Sequence, residues 1–202
     1  EDSEARFRSS FDNAAIGKAL VSPDGSFLEV NEAACTLWGY SREELLRKTF
    51  QELTHPGDLT LDLNYRDEML RGERKSYKTE KRYYHKDGHI VWAQLNVSTV
   101  YENKSVKYFI SQIQDISLRK RAEIQLAESE ERFRTTFSSA AQGMAIVAID
   151  GYYLQVNKAF CELLGYSESE LLEKRWQDVT YPEDVIDDVN KDERYLPPDM
   201  KG

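Results

Sequence analysis

From Ile90 to Tyr101, apolar and polar positions alternate. Val91, Ala93, Leu95 and Val97 fall on one side, and Trp92, Gln94, Asn96 and Ser98 on the other. A period of two predicts a half-buried β-strand. Tyr77–Tyr84 and Val106–Ile116 predict two more, and "HKDG", from His85 to Gly88, supplies a tight turn between the first and second. Upstream, Gly17–Val21 and Phe27–Val30 predict two short strands joined by "SPDG". Helical signals fill the space between these groups. Asn31 caps Glu32–Trp38, Gly39 ends that helix, and Ser41 with Glu44 forms a capping box for the next. Leu59–Leu70 predicts a longer helix, and Glu4–Ala14 another, with Phe7 and Phe11 one turn apart. Two strands, several short helices and three strands make an α+β domain with an antiparallel sheet and helices on one face.

The pattern then begins again. Displaced by 126 positions, Phe7 falls on Phe133, Phe11 on Phe137, Asn31 on Asn157 and Cys35 on Cys161. "DG" falls on "DG" at Asp150, and "GYS" on "GYS" at Gly165, without a gap. Two copies of one domain follow from this. We divide the chain into a first domain at 1–117, a helical connector at 118–137, and a second domain at 138–202 that lacks the three long strands. Val147, Ile149, Leu154, Val156, Phe160, Leu163 and Leu164 are the expected core of copy two. Without a covering sheet, residues 129–202 are not expected to fold alone: the protein continues past Gly202 or another chain covers them.

The phrases "RFRSSFDNAAIGKALVSPDG", "VNEAACTLWGYSREELL", "LTHPGDL", "EKRYYHKDGHIVW" and "YFISQIQDISLRKRAE" together resemble the PAS family, in its bacterial sensory branch with a trailing PAC segment. They span 3–123, and copy two matches over 129–196. The resemblance implies a curved five-stranded sheet around a small pocket roofed by helices. It also implies a signalling role, passed through a flanking helix to an effector domain of the same polypeptide, such as a histidine kinase or cyclic-dinucleotide enzyme. "DSEARFRSSF" and "ESEERFRTTF" are then the helices leading into each domain, and Asp115-Ile116-Ser117 resembles the family's exit motif. Asp115 is read either as a hinge or as an acid flanking the helix, with Ser117 as the N-cap.

Composition narrows the function. The chain has 202 residues, 40% hydrophobic and 31% charged, an ordinary globular mix. A net charge of −9 disfavours nucleic acid as a partner. No apolar run approaches a membrane span, and the acidic, polar opening residues predict no signal peptide. Two cysteines make no disulfide framework, which suggests a reduced, cytoplasmic protein; Cys35 and Cys161 are read as small core residues. The sequons at Asn96 and Asn103 carry no meaning in that setting. No nucleophile–base pair, phosphate loop or metal cluster is recognisable, so no catalytic residues and no enzyme are expected.

The light-sensing branch of the family uses a Cys after "GYS…EL" and a Gln on the last strand. Here "RKTFQEL" has no Cys, and Ile113 stands at the Gln position. The haem-binding branch uses a His on the long helix, which has none here. Neither flavin nor haem is expected. His55 belongs to the "HP" loop, while His85 and His89 flank the "KDG" turn and face each other across a hairpin. With no third ligand assigned, no metal is expected. Alternation and the resemblance place Tyr83, Val91, Ala93, Leu95, Phe109, Ser111 and Ile113 in the pocket. That lining suits a small apolar ligand or a ligand-free core serving as an interaction scaffold. In the connector, Ala122, Leu126, Ser129 and Phe133 follow the four- and three-residue steps of a coiled-coil seam, which predicts a homodimer. A solvated rigid spacer is the competing reading.

Overall fold

The computed structural model describes residues 2–185, without the side chains of residues 2–5 and 7. Phe7 as a partner of Phe11 therefore lies outside the described side chains. The chain divides into two compact units between Ile124 and Gln125, inside the predicted connector.

The first unit opens with helix α1 (Asp2–Asp12), then strands β1 (Gly17–Val21) and β2 (Phe27–Val30). Four helices follow: α2 (Glu32–Trp38), α3 (Arg42–Leu45), α4 (Phe50–Leu53) and α5 (Pro56–Leu70). Strands β3 (Ser76–Tyr84), β4 (Ile90–Glu102) and β5 (Ser105–Asp115) complete an antiparallel sheet of order β2-β1-β5-β4-β3. The first and last parts of the domain thus meet where β1 pairs β5, with Ala19 opposite Ser111. The strand alternation holds: Val91, Ala93, Leu95 and Val97 are all buried. Ala93, Leu95 and Val97 join Trp38, Leu45, Leu53 and Met69 in one core between the sheet and the helices.

Local chemistry sets the helix ends. The Ser41 hydroxyl accepts from the Glu44 N–H, and the Glu44 carboxylate accepts from the Ser41 N–H at 2.8 Å. Gly39 ends α2 with φ 74°, a left-handed conformation that costs glycine little.

Asn31 does more than cap α2. It is buried, and its Oδ1 accepts from the Lys18 N–H at 2.8 Å and the Ala34 N–H at 3.0 Å. Its Nδ2 donates to the carbonyls of Phe11 and Ile16, both at 3.0 Å. One side chain therefore ties α1, β1 and α2 together. The second copy repeats every bond. Asn157 Oδ1 accepts from the Met144 and Phe160 N–H groups, and Nδ2 donates to Phe137 and Gln142 carbonyls.

Helix α6 runs from Ser117 to Ser139. The second unit continues with β6 (Ala145–Val147), β7 (Tyr153–Val156), α7 (Lys158–Leu164), α8 (Glu168–Leu172) and a 3-10 turn at Trp176–Val179. Among the described residues β6 pairs only with β7. Ala145 is only partly buried, whereas its counterpart Ala19, set between β2 and β5, is fully buried. Of the expected core of this copy, Val156 is buried and Val147, Phe160 and Leu164 pack around it. Ile149, Leu154 and Leu163 are corrections, since all three are exposed. Leu154 follows its counterpart Leu28, which the pleat of β2 also turns outward.

Candidate functional site

Between the helices and the inner face of the sheet lies a cavity of about 30 Å³. That is room for about two waters, since one needs roughly 10–15 Å³ on this measure. Of the predicted pocket residues, Tyr83, Leu95, Phe109, Ser111 and Ile113 line it. Val91 and Ala93 do not. Ala93 is packed in the core, and Val91 lies further along β4, beside a groove at the end of the sheet that also touches Asp115 and Ser117.

The lining is more polar than alternation suggested. Lys81, on β3, is buried and forms an ion pair with Asp62 of α5, which is also buried. The ammonium donates a second bond to Thr54 Oγ1 at 2.9 Å. It also lies 4.4 Å from the centre of the Tyr83 ring, where the ring face attracts a cation. The other Asp62 oxygen accepts from the Tyr77 hydroxyl at 2.7 Å. Arg66, one helical turn on from Asp62, also borders the cavity. Burial pushes the Lys81 ammonium below its ordinary pKa, against the pull of Asp62. Burial raises the Tyr77 phenol, and the Asp62 charge adds to it. Trp38 completes this side, and its buried Nε1–H makes no hydrogen bond within the protein.

Successive residues of β3 face opposite ways. Lys81 points to the cavity, and Glu80 points out of the far face. There the Glu80 carboxylate accepts from Arg119 at 2.6 Å and Lys120 at 2.7 Å, in the first turn of α6. Lys120 also lies over the Trp92 ring, at 5.4 Å. The two cations, Lys120 first, hold the Glu80 carboxyl at a pKa of about 2.

The exit motif fixes the strand-to-helix junction. Asp115 Oδ1 accepts from the Ser117 N–H at 2.7 Å, so the capping group is the aspartate. The Ser117 hydroxyl instead accepts from the Trp92 N–H at 3.0 Å. Ile116 is buried, and its N–H donates to the Trp92 carbonyl at 2.9 Å. Beyond this anchor α6 is open: Ala122, Leu126, Ser129 and Phe133 are all exposed. Arg119, which extends the predicted seam pattern backward in sequence, is occupied by Glu80 and Glu123. Cys35 is buried and Cys161 partly so.

Lys81 was within reach of the sequence, because Tyr77, Lys81 and Tyr83 share the phase of β3. Asp62 was not. The alternating leucines of α5 draw attention to Leu61, which is half exposed, while the aspartate beside it is buried.

Comparison with known proteins agrees with this geometry. Residues 27–113 match a family described as PAS fold, and residues 131–195 match one described as PAS domain. The chain is 43% identical over 146 residues to a probable diguanylate cyclase, DgcE, of Escherichia coli, covering 72% of this chain and 13% of that protein. It is 28% identical over 142 residues to the sensor histidine kinase TmoS of Ectopseudomonas mendocina, covering 70% of this chain and 15% of that one. The chain thus spans a small share of these relatives' length. Among solved structures, a PAS domain from Colwellia psychrerythraea superposes with a TM-score of 0.52 at 25% identity, covering 57% of this chain and 98% of that one. Among the described residues, no helix is long and apolar enough to cross a membrane. The chain belongs to the PAS family, as two PAS domains in tandem, the first with its five-stranded sheet complete.

Proposed function

We propose that this chain is a non-enzymatic sensory segment, whose first domain reads a small molecule in its cavity and passes the change to α6 through β3. The observation that carries the reading is the adjacency of Lys81, in the cavity wall, and Glu80, which holds the first turn of α6. A shift of β3 at one residue moves its neighbour on the opposite face. The free Nε1–H of Trp38 favours a ligand that accepts a hydrogen bond. The cavity's size and its ion pair disfavour haem, flavin or a fatty chain, so the protein is expected to be colourless. The exit motif serves as the fixed end of the junction. The relatives' architecture supports an effector domain on the same polypeptide.

Hydrogen exchange on the full chain tests the coupling. Glu80→Gln should speed exchange at Ser117–Glu123. The paired replacement Lys81→Met with Asp62→Leu should change exchange there too, although neither residue touches α6. Unchanged exchange at these amides in the paired variant would sink the proposal. The pH dependence has a definite sign. The folded pKa of Glu80 lies below its ordinary value of 4.5, so its contribution is complete above pH 4.5 and is lost as pH falls toward about 2. A carboxyl resonance of Glu80 titrating near 4.5 would show that the contact does not form in solution.

Dimerisation through α6 belongs to the same reading, supported by the exposure of Leu126 and Phe133. With Arg119 taken by Glu80, the seam starts at Ala122 and is short and poorly filled. That suits a switch, since a few kcal/mol would separate or rotate the helices. Leu126→Glu should place like charges face to face and shift the protein toward monomer in sedimentation equilibrium. A parent that is already monomeric at tens of micromolar would favour the rigid spacer.

A further inference from the structure

The turn between β3 and β4 places three ligating groups together. Its backbone is closed by the His85 N–H on the His89 carbonyl and the Gly88 N–H on the His85 carbonyl, both at 2.9 Å. The two imidazoles lie side by side, with centres 4.4 Å apart and planes 25° from parallel. Both Nδ1 atoms point at one oxygen of Asp87, from 2.9 Å for His85 and 2.5 Å for His89. One ligating atom from each of the three residues lies within 4.8 Å of the others. Asp87 is the third ligand that sequence reasoning left unassigned.

From this geometry we propose that His85, Asp87 and His89 bind a divalent transition-metal ion. Two imidazoles and one carboxylate are a borderline donor set, suited to Zn²⁺, Cu²⁺ or Ni²⁺ and poorly to Mg²⁺ or Ca²⁺. Three protein ligands leave at least one coordination position for water or an outside ligand. The scaffold is held in advance. The Lys86 N–H donates to the Trp38 carbonyl at 2.9 Å, and the Lys86 ammonium pairs with Glu44 at 2.6 Å. His85 packs against Gly39 so closely that a Cβ there would push the imidazole aside. Only small movements of the imidazoles away from Asp87 are then needed to admit the ion. Because the turn is bonded to the last residue of α2, metal would brace the end of the helix that carries Trp38.

Calorimetric titration of tag-free, chelator-stripped full chain with Zn²⁺ tests this. One equivalent should bind, Mg²⁺ should not, and the metal should raise the melting temperature. Replacing even an outer partner of a metal site typically costs about 10–100-fold in affinity. His89→Gln and Asp87→Asn, both at exposed positions, should therefore each weaken binding by about tenfold or more. They should leave the metal-free melt unchanged, and His55→Gln should leave binding unchanged. His85→Gln should behave like the other two; if its packing on Gly39 disturbs folding, the exposed pair decides. An absence of binding, or one equivalent that survives both exposed substitutions, would overturn the proposal, the latter by placing the ion elsewhere.

Discussion

Replacing Lys81 alone with Met is expected to destabilise the first domain by about 3–5 kcal/mol, and replacing Asp62 with Leu at the same time to recover most of that loss. The single change leaves the Asp62 carboxylate buried with only the Tyr77 hydroxyl, at 2.7 Å, as partner. Removing both charges removes the need for either, and Met and Leu fill similar space in the cavity wall. Urea denaturation followed through Trp38 and Trp92 measures both variants. Equal stabilities for the single and double variants would show that the two groups do not pair in the core. The pair also sets a pH dependence. Burial lowers the Lys81 pKa below the ordinary Lys value of about 10.4. Between the folded value and about 10.4 the unfolded chain binds more protons, so stability rises with pH across that window. Tyr77 and Tyr83, held protonated by burial, oppose the rise only above about pH 10. Lys81→Met should abolish the rise.

The elements and the repeat were legible because they are written in periodicity and punctuation, which local physics reads directly. Alternation in β4 names its buried face, Asn31 and Ser41 mark helix starts that their side chains cap, and Gly39 marks a helix end through its left-handed backbone. The cavity was half legible. Tyr83, Leu95, Phe109, Ser111 and Ile113 line it because they are in phase on adjacent strands. Val91 and Ala93 share that phase, but position along a strand, which alternation cannot give, carries them past the cavity. Lys81 shares the phase of Tyr77 and Tyr83, but Asp62 and Arg66 contradict hydrophobic patterning, so only the meeting of β3 with α5 reveals them. Glu80 with Arg119 and Lys120 is a contact between residues 39 and 40 positions apart, with no local signal. Asp87 went unassigned because its role depends on where two imidazoles point, not on spacing.

Asn31→Ala should destabilise the first domain by roughly 3 kcal/mol or more, and Asn157→Ala should do the same to the second. Truncating Asn31 removes four hydrogen bonds, two of them buried: the one it donates to the Phe11 carbonyl and the one its Oδ1 accepts from the Ala34 N–H. Losing a buried hydrogen bond costs more than losing an exposed one, because the group left behind is poorly placed to regain water. Asn31→Asp separates the two halves of the role. Aspartate keeps the acceptor for Lys18 and Ala34 but cannot donate to Phe11 and Ile16. It should keep α2 capped while releasing α1, seen as faster exchange at the Asn13 N–H, which now donates to Ser9. In the second copy the corresponding carbonyl belongs to Phe137, near the end of α6, so Asn157→Asp should loosen that end of α6 in the same way. Losses at separate sites should add in the double Ala variant. An Asn31→Ala variant that loses less than about 1 kcal/mol, or an Asn31→Asp variant whose α1 exchange matches the parent, would show that α1 is held by the Phe11 side chain rather than by the asparagine.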